Sequence, residues 1–259
     1  MHFDFTSKET WLHSINPTLK LLVLVGLCAS LFFIDDLNLT MNITLTVLVL
    51  YWGFTGQPIG RVLLLSFPFF LVFISTSTSM ILFGKGDMTW FEWGLIRITE
   101  EGFQKGLLVG LRAVIFASLG LMFALTTRPV YLFYSLMQQV KLKPKYAYSF
   151  MAGLRLIPIM MEEFQTIQYA MKVRGVEGQR GIRSIYFKLK AYSIPLLSQS
   201  IRRAHRIAVA MEAKRFSDYA TRTYFYQIGF SKHDITFLLY FGIMLTLGYY
   251  VSVFFPYFH

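Results

Sequence analysis

The sequence is short of charge. Only 15% of its 259 residues are Asp, Glu, Lys or Arg, against about 25% in ordinary soluble domains. Mean hydropathy is +0.50 and 26 residues are Phe, so much of the surface is expected to face lipid. Cysteine is almost missing: Cys28 stands alone in an apolar run, which excludes a disulfide framework and reads as a small hydrophobe. Glycine lacks a triplet period and 55% of the chain is apolar, which excludes collagen and disorder. No G-x-x-x-x-G-K-[ST] loop occurs, so the chain is not expected to hydrolyse nucleotide itself. His2, His13, His233 and His259 show no ligand spacing, and His205 lies among Arg202, Arg203 and Arg206. Neither a metal nor another cofactor is therefore expected. A membrane-embedded enzyme using His205, Glu162 and Glu163 is the weaker alternative. A stand-alone secondary carrier is another, but internal repeats and mid-membrane ionisable groups are missing. The opening residues lack a signal-peptide pattern, so no cleaved leader is expected.

What charge there is clusters. Residues 141–232 hold 17 Lys and Arg against 5 Asp and Glu, a net of +12, leaving 8 against 9 elsewhere. A pI near 9.7 beside so much apolar sequence is explained by cytoplasmic topology and anionic lipid headgroups. The lipid bilayer is the expected partner of that charge, and nucleic acid is not.

A membrane-spanning helix needs about 20 apolar residues. Five stretches qualify as crossings: 19–34 (with Lys20 able to snorkel), 37–60, 62–83, 106–127 and 235–257. Asp35-Asp36, Arg61 and an amphipathic stretch with Asp87, Glu92, Glu100 and Glu101 separate the first four. The positive-inside rule sets the N-terminus, Arg61 and the basic middle in the cytoplasm. The chain is read as an all-α polytopic membrane protein with about five transmembrane helices and a cytoplasmic lobe. Residues 1–127 hold transmembrane helices one to four, 128–232 the lobe, and 233–259 a C-terminal transmembrane helix.

Arg112 lies inside the fourth crossing, about two turns from Lys105, so snorkelling outward is favoured over a functional role. Gly102, Gly106 and Gly110, extended by Ala113 and Ala117, make a face for close approach by another helix. That neighbour is either internal, which is favoured, or another subunit.

In the basic middle, Phe150, Leu154, Ile157, Met161, Phe164, Ile167 and Met171 recur at helical spacing. Leu197, Ile201, Ala204, Ala208 and Met211 repeat the pattern. Two long amphipathic helices are expected, packed stripe to stripe or stripe to membrane. Pro158 and Pro195 lie in their interiors, at about 3 kcal/mol each unless a bend is wanted. Glu162 and Glu163 are expected to pair with arginines of the neighbouring helix. The helices end in Val173-Arg174-Gly175 and Ala213-Lys214-Arg215. Taken singly, each reads as an ordinary helix terminus; as a pair on one lobe they suggest cationic tips offered to an acidic partner.

The middle reads Leu154-Arg155-Leu156-Ile157-Pro158, Glu162-Glu163, Ala170 to Gly175, Arg202-Arg203-Ala204 and Ala208 to Phe216. With Asn16-Pro17-Thr18-Leu19-Lys20 near the start and Thr126-Thr127-Arg128-Pro129 before the lobe, it resembles the transmembrane T component of energy-coupling factor (ECF) ABC transporters. The resemblance implies a coupling subunit of a prokaryotic importer in the cell membrane. It would join two ABC-type ATPase subunits to a membrane substrate-binding S component for uptake of a vitamin or metal ion. It also implies that Val173, Arg174, Gly175, Ala213, Lys214 and Arg215 form the ATPase contacts. Arg155, Pro158, Glu162, Glu163, Pro195, Arg202 and Arg203 would stabilise the lobe. The family tip reads Ala-Arg-Gly. Here Val173 replaces the first alanine, and Lys214-Arg215 stands in the Arg-Gly places. Either Lys214 contacts its groove as a point charge, or Arg215, one step further if the helix continues, takes over.

Overall fold

The computed structural model describes residues 10–84, 89–93, 96–175, 182–216 and 223–255. The described chain is almost wholly helical: α1 (Pro17–Ser30), α2 (Leu37–Phe54), α3 (Ile59–Phe83), α4 (Glu100–Thr126), α5 (Pro129–Gln139), α6 (Pro144–Val173), α7 (Ile182–Ala213) and α8 (Lys232–Phe254). It divides into two compact units, residues 1–135 with 228–259, and residues 136–227.

In the first unit α4 packs against α3, α2 and α1, and α8 packs against α2. Its core joins Leu24, Leu27 and Leu31 to Ile43, Val47, Leu50 and Tyr51, with Ile115, Leu119, Met122, Phe237 and Phe241 closing the interior. The rest is turned inside out by soluble standards: large apolar side chains such as Leu64, Phe67 and Phe70 of α3 are exposed, as lipid-facing helices require. Helices α2, α3, α4 and α8 are long and apolar enough to cross a membrane.

The glycine face on α4 meets α3 of the same chain. A Cβ on Gly106 would lie 2.7 Å from Ile81 Cγ1, and one on Gly110 2.1 Å from Ser77 Oγ. The Ser77 hydroxyl donates to the Gly106 carbonyl at 3.0 Å. The missing side chains thus allow both the close approach and a buried hydrogen bond across it.

Several boundaries differ from the sequence expectation, each for a local reason. Helix α1 has 14 residues, about 21 Å long, so a crossing at 19–34 would need the residues beyond it. Asn16 caps it, accepting from the Thr18 amide, and Pro17 occupies the first turn. Helix α4 begins at Glu100, not Gly106, because the Thr99 hydroxyl accepts from the Gly102 amide and Glu100 and Glu101 complement the helix dipole. Before it, the stretch read as amphipathic holds a two-stranded antiparallel hairpin, β1 (Thr89–Trp93) and β2 (Ile96–Thr99), with Glu92 opposite Arg97. Asp87 of that stretch lies outside the described residues, as do His2, His259 and the end of the 235–257 crossing. Helix α5 was not anticipated.

Candidate functional site

The second unit is built on α6 and α7, of 30 and 32 residues, each running on past its internal proline. Their contact is mixed rather than stripe to stripe. Glu163 forms an ion pair with Arg203, the Ser200 hydroxyl lies 3.7 Å from Met160 Sδ, and the Phe164 and Tyr192 rings pack at 5.5 Å. On the stripes, Phe150, Ile157 and Met161 of α6 and Leu197 and Ile201 of α7 remain exposed, Ile201 at 67%. The physical reason is spacing: Met160 and Glu163 lie three apart, as do Ser200 and Arg203, and this row is rotated about 100° from the apolar one. Arg202 donates to Ser198 Oγ at 2.7 Å on its own helix. Arg155, Pro158 and Glu162 are exposed and Pro195 is half-buried. Of the two glutamates, Glu163 meets an arginine of α7, whereas Glu162 among the described residues does not.

The two helix ends have the same construction. At the first, the Arg174 amide donates to the Ala170 carbonyl and the Gly175 amide to Lys172, with Gly175 in the left-handed region at φ +72°. At the second, the Lys214 amide donates to Ala210, the Arg215 amide to Glu212 and the Phe216 amide to Met211, while Arg215 has φ +54°. The latter pair of bonds is the Schellman termination. The Phe216 ring then meets Tyr148 of α6 edge-on at 5.5 Å. Helix α7 therefore does not continue to Arg215. Lys214 holds the place of Arg174, and Arg215 holds the place of Gly175. Val173, Arg174, Gly175, Ala213, Lys214 and Arg215 are all exposed. Among the described residues, Arg174, Lys214 and Arg215 make no side-chain ion pair.

A second polar cluster lies inside the first unit, at the start of α1. Lys20 is 1% exposed. Its Nζ donates to the Leu12 carbonyl at 2.6 Å and to Thr126 Oγ1 at 3.1 Å, with the Thr126 carbonyl and Thr127 Oγ1 at 3.4 Å. Lys20 does not snorkel: four protein oxygens take over from its hydration shell. Beside it, the Asn16 amide donates to Asp234 Oδ1 at 2.7 Å, and Asp234 Oδ2 accepts from the Ser231 amide at 2.6 Å. Asp234 was not singled out from the sequence, though Ser231-x-x-Asp234 is a legible capping box.

Arg112 is likewise bonded within the protein. It donates to the Ile34 carbonyl and to Asp35 Oδ1, the latter at 3.0 Å, with its side chain 17% exposed and that of Asp35 90%. Its guanidinium thus reaches the turn between α1 and α2, at a carboxylate that is itself exposed. No group of three or more His, Cys, Asp or Glu side chains able to hold a metal ion occurs among the described residues.

Residues 8–225 match the family described as CbiQ, cobalt transport protein. The energy-coupling factor transporter transmembrane protein EcfT of Limosilactobacillus fermentum is 29% identical over 242 residues, covering 89% of each chain. The EcfT of Lacticaseibacillus paracasei is 26% identical over 240 residues, 87% of this chain and 88% of its own. That of Streptococcus equi is 27% identical over 232 residues, 82% and 81%.

Proposed function

The chain belongs to the CbiQ family of cobalt transport proteins, transporter membrane components rather than enzymes, and we propose that it is the coupling subunit of an ECF-type importer. Its apolar helices and bacterial relatives make it a prokaryotic membrane protein. In this reading residues 1–127 and 233–259 form the membrane part, 128–232 is a cytoplasmic lobe, and the N-terminus is cytoplasmic. The Arg174 and Lys214-Arg215 ends engage acidic grooves on two ABC-type ATPase subunits. Closure of the ATPases on ATP moves those grooves, α6 and α7 carry the movement, and a membrane S component loaded with a vitamin or metal ion is reoriented.

The observation that carries this reading is the matched ending of α6 and α7, each presenting an exposed cation immediately before a left-handed residue. Helix ends of this kind can enter a groove, and a charge desolvated there gains charge-assisted hydrogen bonds. The exposed apolar rows on α6 and α7 support a sliding surface for the S component.

The test is affinity purification from the native membrane. ABC-type ATPases are expected to come with the chain, and the isolated chain is expected to show no ATP turnover. Turnover that survives removal of contaminants would sink the reading.

A further inference from the structure

The docking reading makes no use of Asn16, yet this residue makes four hydrogen bonds inside the first unit. Its backbone amide donates to Asp234 Oδ1 at 2.7 Å and its Nδ2 to the Gly229 carbonyl at 3.3 Å. Its Oδ1 accepts from the Thr18 amide at 3.1 Å and from the Ser135 hydroxyl at 2.8 Å. Ser135 Oγ in turn accepts from the Thr18 hydroxyl at 2.6 Å. Asn16 is 3% exposed, Ser135 fully buried and Asp234 2% exposed.

The identity of these partners matters. Ser135 is the last residue of the first unit before the chain departs into residues 136–227, and Ile228 and Gly229 are the first on its return. One side chain therefore holds both the outgoing and the returning strand of the chain to the N-terminus of α1. The carboxamide suits this because it accepts at Oδ1 from the outgoing Ser135 and donates from Nδ2 to the returning Gly229 carbonyl. Asp234 adds the start of α8, and Lys20 binds the end of α4 through Thr126 and Thr127.

We propose that Asn16 is a positioning residue for coupling: it clamps both chain connections of the 136–227 unit to α1, so that displacement of that unit is delivered to the membrane helices. The inference rests on the docking reading and deepens it. A buried network with every member satisfied resists partial deformation, so a pull on Ser135 or Gly229 is passed to α1 and α8 rather than absorbed in a loop. Loss of the amide would leave the connections free to move without the bundle.

The test uses the assembled transporter, with its ATPases and S component, in lipid nanodiscs. Cys28→Ser removes the native thiol, and nitroxides at Leu22 on α1 and Leu64 on α3, both exposed, report the bundle by electron spin resonance. ATP with vanadate is the probe, so the cargo need not be known. The wild type is expected to shift its label-to-label distance on trapping; an unmoved wild type overturns the docking reading itself. Asn16→Ala and, independently, Ser135→Ala are each expected to lose at least half of that shift while ATP hydrolysis stays within about twofold, since the docking reading assigns neither to an ATPase contact. Ser135→Thr keeps the hydroxyl and is expected to restore the shift. A full shift in both alanine variants would overturn the clamp with docking intact. So would parallel loss of shift, hydrolysis and assembly in both, which would make Asn16 a fold-stabilising residue only.

Discussion

Arg215 occupies at the end of α7 the place that Gly175 occupies at the end of α6. Both are left-handed, at φ +54° and +72°, and both donate their amide to a carbonyl three residues back, Glu212 and Lys172. A side chain in this region costs about 1–2 kcal/mol that glycine does not pay. Arg215→Gly is therefore expected to leave stability unchanged or raise it by up to about 1 kcal/mol, after the glycine's own entropy loss. Gly175→Val is expected to lower it by at least about 1 kcal/mol. Thermal unfolding of the detergent-solubilised protein reads both.

The same geometry separates two cations that are adjacent in sequence. Lys214 is the counterpart of Arg174, whereas Arg215 lies beyond the helix. Lys214→Ala is expected to weaken ATPase association more than Arg215→Ala, and Lys214→Arg to strengthen it through a bidentate contact. The double alanine variant completes a cycle. Greater loss from Arg215→Ala would give the contact to Arg215.

The Glu163–Arg203 pair joins α6 to α7 while still partly reached by solvent, with side chains 18% and 30% exposed. Glu163→Gln is expected to cost about 1–2 kcal/mol, because Arg203 keeps its charge beside a poorer partner. Glu163→Leu with Arg203→Met is expected to recover part of that, as apolar replacements of ion pairs do. Proteolysis of the 136–227 unit, followed by fragment analysis, distinguishes the two outcomes.

Gly110 leaves no room for a methyl group against Ser77 Oγ at 2.1 Å, with Phe73 Cδ2 at 2.9 Å. Gly110→Ala is expected to destabilise the α3–α4 contact by about 1–3 kcal/mol, whereas Gly120→Ala, where nothing lies within 4 Å, is expected to have little effect. Midpoints of thermal aggregation in detergent compare them directly.

Much of this was legible because membrane helices write their length and apolarity into composition, and Gly102, Gly106 and Gly110 repeat at one-turn intervals. The paired endings were legible as spelling, but not as geometry. Nothing in Lys214-Arg215 says that the second residue turns left-handed; only its alignment with Arg174-Gly175 hints at it. The apolar rows of α6 and α7 left the helix contact open between stripe to stripe and stripe to membrane, since a lipid- or partner-facing row has the same periodicity as a core. Lys20 misled because a long cation near a helix start looks able to snorkel, whereas the Thr126 oxygens that help to hold it come from a residue remote in sequence. Asp234 capping the Asn16 amide across 218 residues could not be read from either residue's neighbours.

Arg174 separates docking from simple capping. As a mere helix cap, Arg174→Ala would cost at most about 1 kcal/mol; inside an acidic groove, losing the cation strands a partner charge at about 3–5 kcal/mol. The decisive measurement is co-elution of the ATPases with the Arg174→Glu chain, alongside a check that the chain remains folded and membrane-inserted. If Arg174 docks in a groove, the chain stays folded and no longer retains at least one ATPase. Wild-type retention by Arg174→Glu would contradict docking and leave Arg174 as an ordinary helix terminus.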